Sequence, residues 1–268
     1  PISFVASSNC GLYCGAHVDF VDIDPQTYNL CPIALEAKLI QAKKENQLPK
    51  VVIPVHLSGQ PCDMQSIHAL GRRFGFSIIE DASHAVGGKY KGEAIGNCRY
   101  SDITVFSFHP VKIITTAEGG LALTNDAELA YRMDLTRSHG ITREAERLEV
   151  KSDGPWYYEQ ISLGFNYRMT ELQAALGLSQ LKKLDKFVES RHEIAFKYEK
   201  MLGDFPVKIP WQHPDSYSAR HLYVIRLDLN EINRTHREVF EYLRINGVGV
   251  NLHYIPIYRH PYYLKLGN

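Results

Sequence analysis

Two residues in the first half of the chain have the types and positions needed for chemistry on an amine or a carbonyl. Asp81 ends the apolar run SIIEDA, and Lys112 follows the apolar run ITVFSF within SFHPVKIITTAEGG. A carboxylate at the carboxyl end of a strand lies where α/β sheets bind ligands. The apolar neighbours of Lys112, including Val111 and Ile113, predict partial removal of its amine from water, which favours the neutral, nucleophilic form.

Together these two residues resemble a pyridoxal phosphate site. Such sites characteristically contain an imine-forming lysine and a carboxylate that pairs with the pyridinium nitrogen. The carboxylate keeps the ring nitrogen protonated, and the lysine amine carries a proton between carbons. Each residue alone has an ordinary explanation, because many strands end in aspartate and most lysines are solvated. The pair therefore indicates this cofactor only in combination with further motifs.

The surrounding elements follow an α/β pattern. Short apolar runs alternate with helical patterns, which is typical of βαβ units and a mostly parallel sheet. Runs such as KVVIPVHL are apolar on both faces, so we expect helices on both sides of the sheet. The predicted helices are PIALEAKLIQAKK and MQSIHALGRRF, and the predicted strands are VDFVDID, KVVIPVHL, SIIEDA, ITVFSF and LALTN.

The second half of the chain predicts a long helix and a smaller unit. From Met169 onward, apolar residues recur at helical spacing as far as Val188, and helical character continues to about Leu202, a length that predicts a bend or break. After Gly203 come a predicted strand YVIRLDL, a helix from about Thr235 to Arg244, and a strand GVNLHY. The fold class is therefore α/β, and we predict a three-layer large domain with a mostly parallel sheet (1–168), a connecting helix (169–202) and a smaller C-terminal α/β domain (203–268).

Composition narrows the class of partner. The chain has 268 residues, of which 44% are hydrophobic and 22% charged, enough for a sizeable core. Lys plus Arg and Asp plus Glu both total 30, so no net charge attracts nucleic acid or an anionic membrane. No window reaches the length of a membrane span, and the first residues lack the basic start of a signal peptide. We predict a cytoplasmic protein that binds small molecules.

Several site classes have no support in the sequence. The chain contains no GxGxxG after a strand, no P-loop and no HExxH, which argues against a nicotinamide oxidoreductase, an NTPase and a zinc peptidase. The cysteines form no CxxC pair, so we predict neither a disulfide framework nor a metal site, and expect small buried side chains at positions 10, 14, 31, 62 and 98.

Three motifs make the cofactor assignment specific. The stretches EDASHAVGGKYKG, SFHPVKIITTAEGG and GFNYRMTELQAALGLSQL closely resemble the DegT/DnrJ/EryC1/StrS family of pyridoxal-phosphate sugar aminotransferases. The resemblance covers nearly the whole chain, in order, and implies an aminotransferase fold of type I. A family member should also carry an upstream phosphate-binding loop at a helix N-terminus. The chain begins after that position, so we expect a preceding segment and a further closing segment in the complete protein.

The resemblance assigns a role to each matching residue. It implies that Lys112 is the Schiff-base lysine and that Asp81 pairs with the pyridine nitrogen. His84 matches the residue that contacts the 3-oxygen of the cofactor, and Ser107 matches a phosphate ligand. Phe4 occupies an aromatic position that stacks on the pyridine ring, although core packing is the more ordinary role for a single phenylalanine.

The same resemblance implies a partner subunit and a substrate. Asn166 matches a residue that reaches the cofactor phosphate from the second subunit, which implies a homodimer with shared active sites. Within the family, the chain is most similar to nucleotide-sugar aminotransferases of nonulosonic acid synthesis, on the stretches PISFVASSNC, SFHPVK and VNLHYIPIYRHPYY. This similarity implies glutamate as amino donor and a UDP-linked 4-keto-6-deoxy-N-acetylhexosamine as acceptor. The residues then expected near the sugar nucleotide are His253, Tyr254, Tyr258 and His260.

Two alternatives stay open at the sequence level. A pyridoxal-phosphate sugar dehydratase would share the fold, but that branch carries histidine in place of the lysine, so Lys112 opposes it. A catalytically silent dimer that binds a nucleotide sugar or a partner protein would fit a chain without the phosphate loop. The presence of Asp81, Ser107 and Lys112 argues against a silent protein.

Overall fold

The computed structural model describes residues 2–267. Its α-helices are α1 (Ala6–Tyr13), α2 (Pro32–Lys44), α3 (Met64–Phe74), α4 (Ala127–Arg137), α5 (Glu171–Leu181), α6 (Leu184–Leu202), α7 (His236–Ile245) and α8 (Pro261–Lys265). Its strands are β1 (Val51–Val52), β2 (Ser77–Asp81), β3 (Lys89–Tyr90), β4 (Glu93–Ala94), β5 (Ile103–Ser107), β6 (Gly120–Leu123), β7 (Ile141–Thr142), β8 (Glu159–Gln160), β9 (Val207–Lys208), β10 (Ser216–Tyr217) and β11 (Arg226–Leu227).

A mixed sheet forms the centre of the molecule. Its strand order is β1-β2-β5-β6; β1, β2 and β5 run parallel, and β6 is antiparallel to β5. In the parallel register Asp81 lies opposite Val105, and in the antiparallel register Ser107 lies opposite Gly120. The α/β class predicted from the sequence is confirmed, and the parallel strands bring their carboxyl ends to one edge.

Burial alternates along the central strands. On β2 and β5, the face that carries Ile78, Glu80, Thr104 and Phe106 is buried, whereas the opposite face is half-buried within the described residues. The main apolar cluster lies between this sheet, α2 and α3, and a second cluster extends to Val188 on α6. The three-layer arrangement with helices on both faces stays a prediction.

Local sequence signals set the helix boundaries. The Asp63 carboxylate accepts a hydrogen bond of 3.2 Å from the backbone N–H of Ser66 at the start of α3, and Gly75, with φ 82°, ends that helix in the left-handed region. Thr170 and Thr235 begin α5 and α7 with capping boxes. The long helical pattern is interrupted between α5 and α6, as its length predicted.

Some predicted strands did not form. VDFVDID contributes only the isolated bridge between Ile23 and Leu30, and YVIRLDL pairs only at Arg226–Leu227. GVNLHY has no strand within the described residues. A β-strand requires a neighbouring strand for its backbone hydrogen bonds, and apolar patterning alone does not supply that neighbour.

The C-terminal quarter of the chain contacts the central part of the molecule. Strand β10 pairs with β3, with Tyr217 opposite Lys89, and Ala219 is fully buried in the second apolar cluster. The chain after position 203 is therefore bound to the sheet region by hydrogen bonds and packing. The division into domains at 168 and 202 stays a prediction.

The cysteine prediction was partly wrong. Cys62 and Cys98 are buried as expected, but Cys31 is half-buried, and Cys10 and Cys14 are exposed. Cys10 lies on the short helix α1, in which only Ser8 is buried, and Cys14 directly follows that helix. Among residues 2–267, no helix has the length and apolar character needed to cross a membrane.

Candidate active site

The edge where β2 and β5 end carries the two residues singled out by the sequence. Asp81 ends β2, and Ser107 ends the adjacent strand β5. The loop that follows β5 returns to the sheet through a hydrogen bond of 2.9 Å from Phe108 N–H to the carbonyl of Gly119. Lys112 lies in this loop. The parallel pairing of the two strands therefore brings the carboxylate and the amine to one edge of the sheet.

Two donors hold the carboxylate of Asp81. The Ser7 hydroxyl donates to Oδ2 at 2.6 Å, and the backbone N–H of Ser83 donates to Oδ1 at 3.1 Å. The backbone of Asp81 is fixed as well, since its N–H donates to the carbonyl of Pro54 and its carbonyl accepts from the N–H of His56. Both the strand end and the carboxylate orientation are thereby defined.

Lys112 is half-buried between apolar neighbours. Ile113 and Ile114 are buried in the second apolar cluster, which holds the loop against the sheet. Burial lowers the pKa of the Lys112 amine, while the negative charge of Asp81 partly opposes this shift. Among residues 2–267, no carboxylate forms an ion pair with Lys112. The amine is thus more readily deprotonated than that of an ordinary lysine.

His84 is a buried, neutral imidazole beside this amine. Burial and, secondarily, the charge of Lys112 lower its pKa to about 3. Its Nδ1 accepts a hydrogen bond of 3.3 Å from the backbone N–H of Ser58, which places the remaining ring proton on Nε2. That nitrogen lies 3.4 Å from the hydroxyl of Tyr254. His84 therefore offers a hydrogen-bond donor to the site.

The ring of His221 packs against that of His84 in a tilted arrangement, and this residue was not found from the sequence. The two ring centroids are 4.5 Å apart at an interplanar angle of 37°. Burial and the neighbouring His84 lower the pKa of His221 to about 2. Arg191 donates to the carbonyl oxygens of Arg220 and His221, at 3.1 and 3.2 Å, and so holds this segment in place.

The remaining predicted residues divide into two groups. Phe4 is 59% exposed, and its ring centroid lies 6.2 Å from that of Tyr254, whose ring centroid is in turn 6.4 Å from that of His84. His253 is half-buried next to Tyr254, with the two ring centroids 4.8 Å apart, and burial followed by the charge of Lys112 lowers the pKa of His253. The structure brings these residues together with Asp81 and Lys112.

The other group makes contacts with other parts of the described chain. Tyr258 packs its ring 6.4 Å from that of Phe20, and His260 directly precedes the short helix α8. Asn166 is exposed and forms an isolated bridge with Ser138. None of these three has a hydrogen bond to Asp81, His84 or Lys112 among the described residues.

Two site residues, Ser7 and His221, were missed by sequence reasoning for different reasons. Ser7 belongs to the hydroxyl-rich run ASSN next to Phe4, and this proximity was an available signal. His221 is separated from His84 by more than half of the chain and has no motif of its own in SARHLY. Only the fold places its ring on His84.

The assembled side chains fit pyridoxal phosphate. The site offers an aromatic ring for the ring face of this cofactor and a carboxylate for its ring nitrogen. It also offers an amine for the aldehyde, a neutral imidazole N–H for the 3-oxygen and a hydroxyl for the phosphate. The buried Ser58 Oγ and His221 Nδ1 have no hydrogen-bond partner within the described chain, so these two atoms have unused hydrogen-bonding capacity beside the site. The residues that would hold the cofactor are Phe4, Asp81, Lys112, His84 and Ser107.

A buried polar network around Glu80 of β2 lies next to this edge of the sheet. His56 Nε2 lies 2.7 Å from Glu80 Oε2, and the other carboxylate oxygen of Glu80 accepts hydrogen bonds from Ser101 and Thr104. The backbone N–H of Cys62 donates to His56 Nδ1 at 3.2 Å. Every carboxylate oxygen of Glu80 thus has a partner, as a buried charge requires.

Known proteins resemble this chain along its whole length. It is 39% identical over 267 residues to the spore coat polysaccharide biosynthesis protein SpsC of Bacillus subtilis, a match that covers 99% of this chain and 66% of that protein. It is also 39% identical over 267 residues to a UDP-4-amino-4,6-dideoxy-N-acetyl-beta-L-altrosamine transaminase of Campylobacter jejuni, covering 99% of this chain and 67% of the relative. The chain therefore spans about two thirds of the length of these curated relatives.

Solved structures and a family profile agree with these relatives. Helicobacter pylori PseC, described as an aminotransferase involved in the biosynthesis of pseudoaminic acid, superposes with a TM-score of 0.86 at 35% identity, covering 99% of this chain and 67% of that one. The profile of the DegT/DnrJ/EryC1/StrS aminotransferase family matches residues 1–268. With the site geometry in agreement, the chain belongs to the DegT/DnrJ/EryC1/StrS aminotransferase family.

Proposed function

We propose that the protein is a pyridoxal-phosphate-dependent sugar aminotransferase. In this proposal it takes an amino group from glutamate and transfers it to the C4 ketone of a nucleotide-linked 4-keto-6-deoxyhexose, a UDP-N-acetylhexosamine derivative. The observation that carries the proposal is the meeting of the half-buried Lys112 amine, the held Asp81 carboxylate and the neutral His84 imidazole at one sheet edge. The named relatives that act on UDP-sugars support the choice of acceptor.

Each residue has a defined task in this reaction. When bound, the cofactor supplies an electron sink that stabilises negative charge at the substrate carbon. The Lys112 amine, whose pKa burial lowers, would take the proton from the α-carbon of the amino donor and, in the second half-reaction, would deliver a proton to C4 of the acceptor sugar. Asp81 holds the proton on the ring nitrogen. His84 would hold the cofactor by donating from Nε2 to its 3-oxygen.

Further contacts orient the cofactor and the substrate. The Ser107 hydroxyl binds a phosphate oxygen, and the exposed ring of Phe4 covers one face of the pyridine. His253 and Tyr254, which already lie beside His84 and Lys112, bind the sugar or its nucleotide. Tyr258 and His260 lie farther along the same segment and contact the outer part of the nucleotide sugar.

A second subunit completes the site in this proposal. Asn166 is exposed and reaches the cofactor phosphate of the partner subunit. Its neighbours support an interface, because large apolar side chains on both sides of it are strongly exposed, a pattern that marks contact surfaces. These side chains are Trp156 (70%), Leu163 (87%), Tyr167 (74%), Leu172 (85%) and Leu178 (64%). The protein is therefore proposed to be a homodimer with shared active sites.

The visible absorption spectrum with pyridoxal phosphate tests the proposal. We expect the wild type to give the band of lysine-bound cofactor and borohydride to fix the cofactor covalently on the peptide that contains Lys112. Lys112→Ala should lose both, whereas Lys186→Ala, at an exposed position on α6, should keep both. A protein that binds no cofactor would instead be a silent scaffold. Turnover of glutamate with UDP-linked 4-ketosugars then tests the substrates.

A further inference from the structure

Helix α1 supplies a hydroxyl to the carboxylate of Asp81. Ser7, in the first turn of α1, donates from Oγ to Asp81 Oδ2 at 2.6 Å, although the residues are 74 positions apart in sequence. The buried Ser3 Oγ lies 3.1 Å from Ser7 Oγ, so Ser3 can donate to Ser7 while Ser7 donates to Asp81. A hydrogen bond to a carboxylate is stronger than one between neutral groups.

This hydroxyl determines how the carboxylate can rotate. The backbone N–H of Ser83 already holds Asp81 Oδ1. With donors on both oxygens, the plane of the carboxylate is fixed, and the lone pairs that remain are directed in a defined way toward the site. With the Ser83 bond alone, the carboxylate could turn about it. A ring nitrogen that must be held accurately during proton transfer is sensitive to such rotation.

A second set of contacts anchors α1 itself. Tyr263 of α8 is almost fully buried, and its hydroxyl lies 2.6 Å from Ser8 Oγ and 2.6 Å from Asn9 Oδ1. Ser8 and Asn9 follow Ser7 directly on α1, so the anchor lies one residue from the hydroxyl that holds Asp81. The C-terminal segment thereby fixes the position of that hydroxyl.

We propose that Ser7 is a positioning residue for the cofactor: its hydroxyl fixes the Asp81 carboxylate in the orientation that receives the pyridine nitrogen, and the Tyr263 anchor sets the position of Ser7. This inference rests on the proposed function. It assigns Ser7 no contact with the cofactor or the substrate. Its effect passes through Asp81 and must therefore depend on the ring nitrogen.

The matched variants are Ser7→Thr and Ser7→Val. Threonine and valine have nearly the same shape and the same helical restriction, so the pair differs in the hydroxyl. We expect Ser7→Thr to bind pyridoxal phosphate like the wild type and Ser7→Val to need about tenfold more cofactor for half-saturation, as loss of one hydrogen bond to a charged group predicts. Binding is followed by absorbance, and thermal unfolding of the cofactor-free protein is measured in parallel.

A cofactor analogue tests whether the effect passes through the ring nitrogen. With 1-deaza-pyridoxal phosphate, in which carbon replaces this nitrogen, the difference between Ser7→Thr and Ser7→Val should fall below about twofold. Equal binding of pyridoxal phosphate by the two variants would overturn the inference, as would an equal difference with the analogue. Failure of the wild type to bind cofactor through Lys112 would instead refute the proposed function, so the two failures are distinguishable.

Discussion

The backbone N–H of Ser58 donates a hydrogen bond of 3.3 Å to Nδ1 of His84. Because Nδ1 accepts this bond, the neutral ring must carry its proton on Nε2, the nitrogen that faces Tyr254 and the candidate cofactor site. Ser58 itself has a backbone in the left-handed region, with φ 61°. A single backbone contact thus determines whether His84 is a donor or an acceptor in the site.

His84 is expected to stay neutral across the working pH range. Burial lowers its pKa to about 3, so the ring takes up a proton only in strong acid and no charge change occurs between about pH 5 and about pH 9. The pH dependence of the His84 ring signals in NMR spectra checks this expectation. An inflection near neutral pH would contradict it.

The role of His84 as a donor predicts different outcomes for two substitutions. His84→Gln keeps an N–H donor on a side chain of similar reach and should retain cofactor binding within a few fold of the wild type. His84→Leu removes the donor and should weaken cofactor binding about tenfold, the effect of one lost hydrogen bond. Titration with pyridoxal phosphate measures both, and equal losses in the two variants would assign His84 a packing role.

The charge of Asp81 should influence the amine of Lys112 in the absence of cofactor. Burial lowers the pKa of Lys112, and the Asp81 carboxylate raises it in partial compensation. Asp81→Asn removes the negative charge and should lower the pKa further. Lys112 should then react with formaldehyde and borohydride at a lower pH than in the wild type, as followed by peptide mass spectrometry. A shift toward higher pH would show that the two groups do not interact as described.

Tyr263 and its neighbour Tyr262 provide a matched test of the anchor on α1. Tyr263→Phe leaves Ser8 Oγ and Asn9 Oδ1 without the buried hydroxyl and should lower the free energy of unfolding by about 1–3 kcal/mol. Tyr262→Phe removes the hydroxyl of a ring that is 59% exposed and should change stability by less than about 0.5 kcal/mol. Denaturant unfolding compares the two; equal effects would remove the basis for an anchor.

Mixed dimers test the proposed sharing of the active site. Lys112→Ala and Asn166→Ala should each impair cofactor-dependent turnover as separate homodimers. After random mixing, about half of the dimers contain one subunit of each kind, and each of these holds one intact site, so about one quarter of all sites should recover. Recovery is measured as turnover after co-refolding. Failure of any recovery, although mixed dimers form, would place Asn166 in its own subunit's site.

Gly59 should tolerate no side chain. It has φ 100°, and a Cβ there would lie 2.9 Å from the backbone nitrogen of Arg220 and 2.9 Å from the carbonyl oxygen of His84. Gly92 has a similar φ of 81°, but a Cβ would meet nothing within 4 Å. For Gly92→Ala we expect backbone strain to lower the free energy of unfolding by about 1 kcal/mol, and for Gly59→Ala we expect a larger loss. Thermal unfolding of the two variants measures the difference.

Local signals in the sequence were sufficient for many elements. Helix α2 has the bounds that its apolar spacing predicted. Helix α3 also has its predicted bounds, because Asp63 and Gly75 mark its two ends. The strands that end at Asp81 and Ser107 were also predicted, since short apolar runs between helices are typical of a parallel sheet. Their connection as parallel neighbours then places Asp81 and Lys112 at one edge, which the sequence had indicated.

Contacts between distant segments were decided only by the tertiary structure. Nothing in the sequence pairs Ser7 with Asp81 or His221 with His84, because hydroxyls and imidazoles have no spacing rule across such separations. The segment GVNLHY shows the same limit, as its apolar pattern was suitable for a strand but no neighbour was available to pair with it. The sequence alone determined the chemical groups and the elements that carry them. The packing of α1 and the C-terminal segment against the sheet decided which groups hold the Asp81 carboxylate and the His84 imidazole, because the orientation of a side chain depends on distant hydrogen-bond partners.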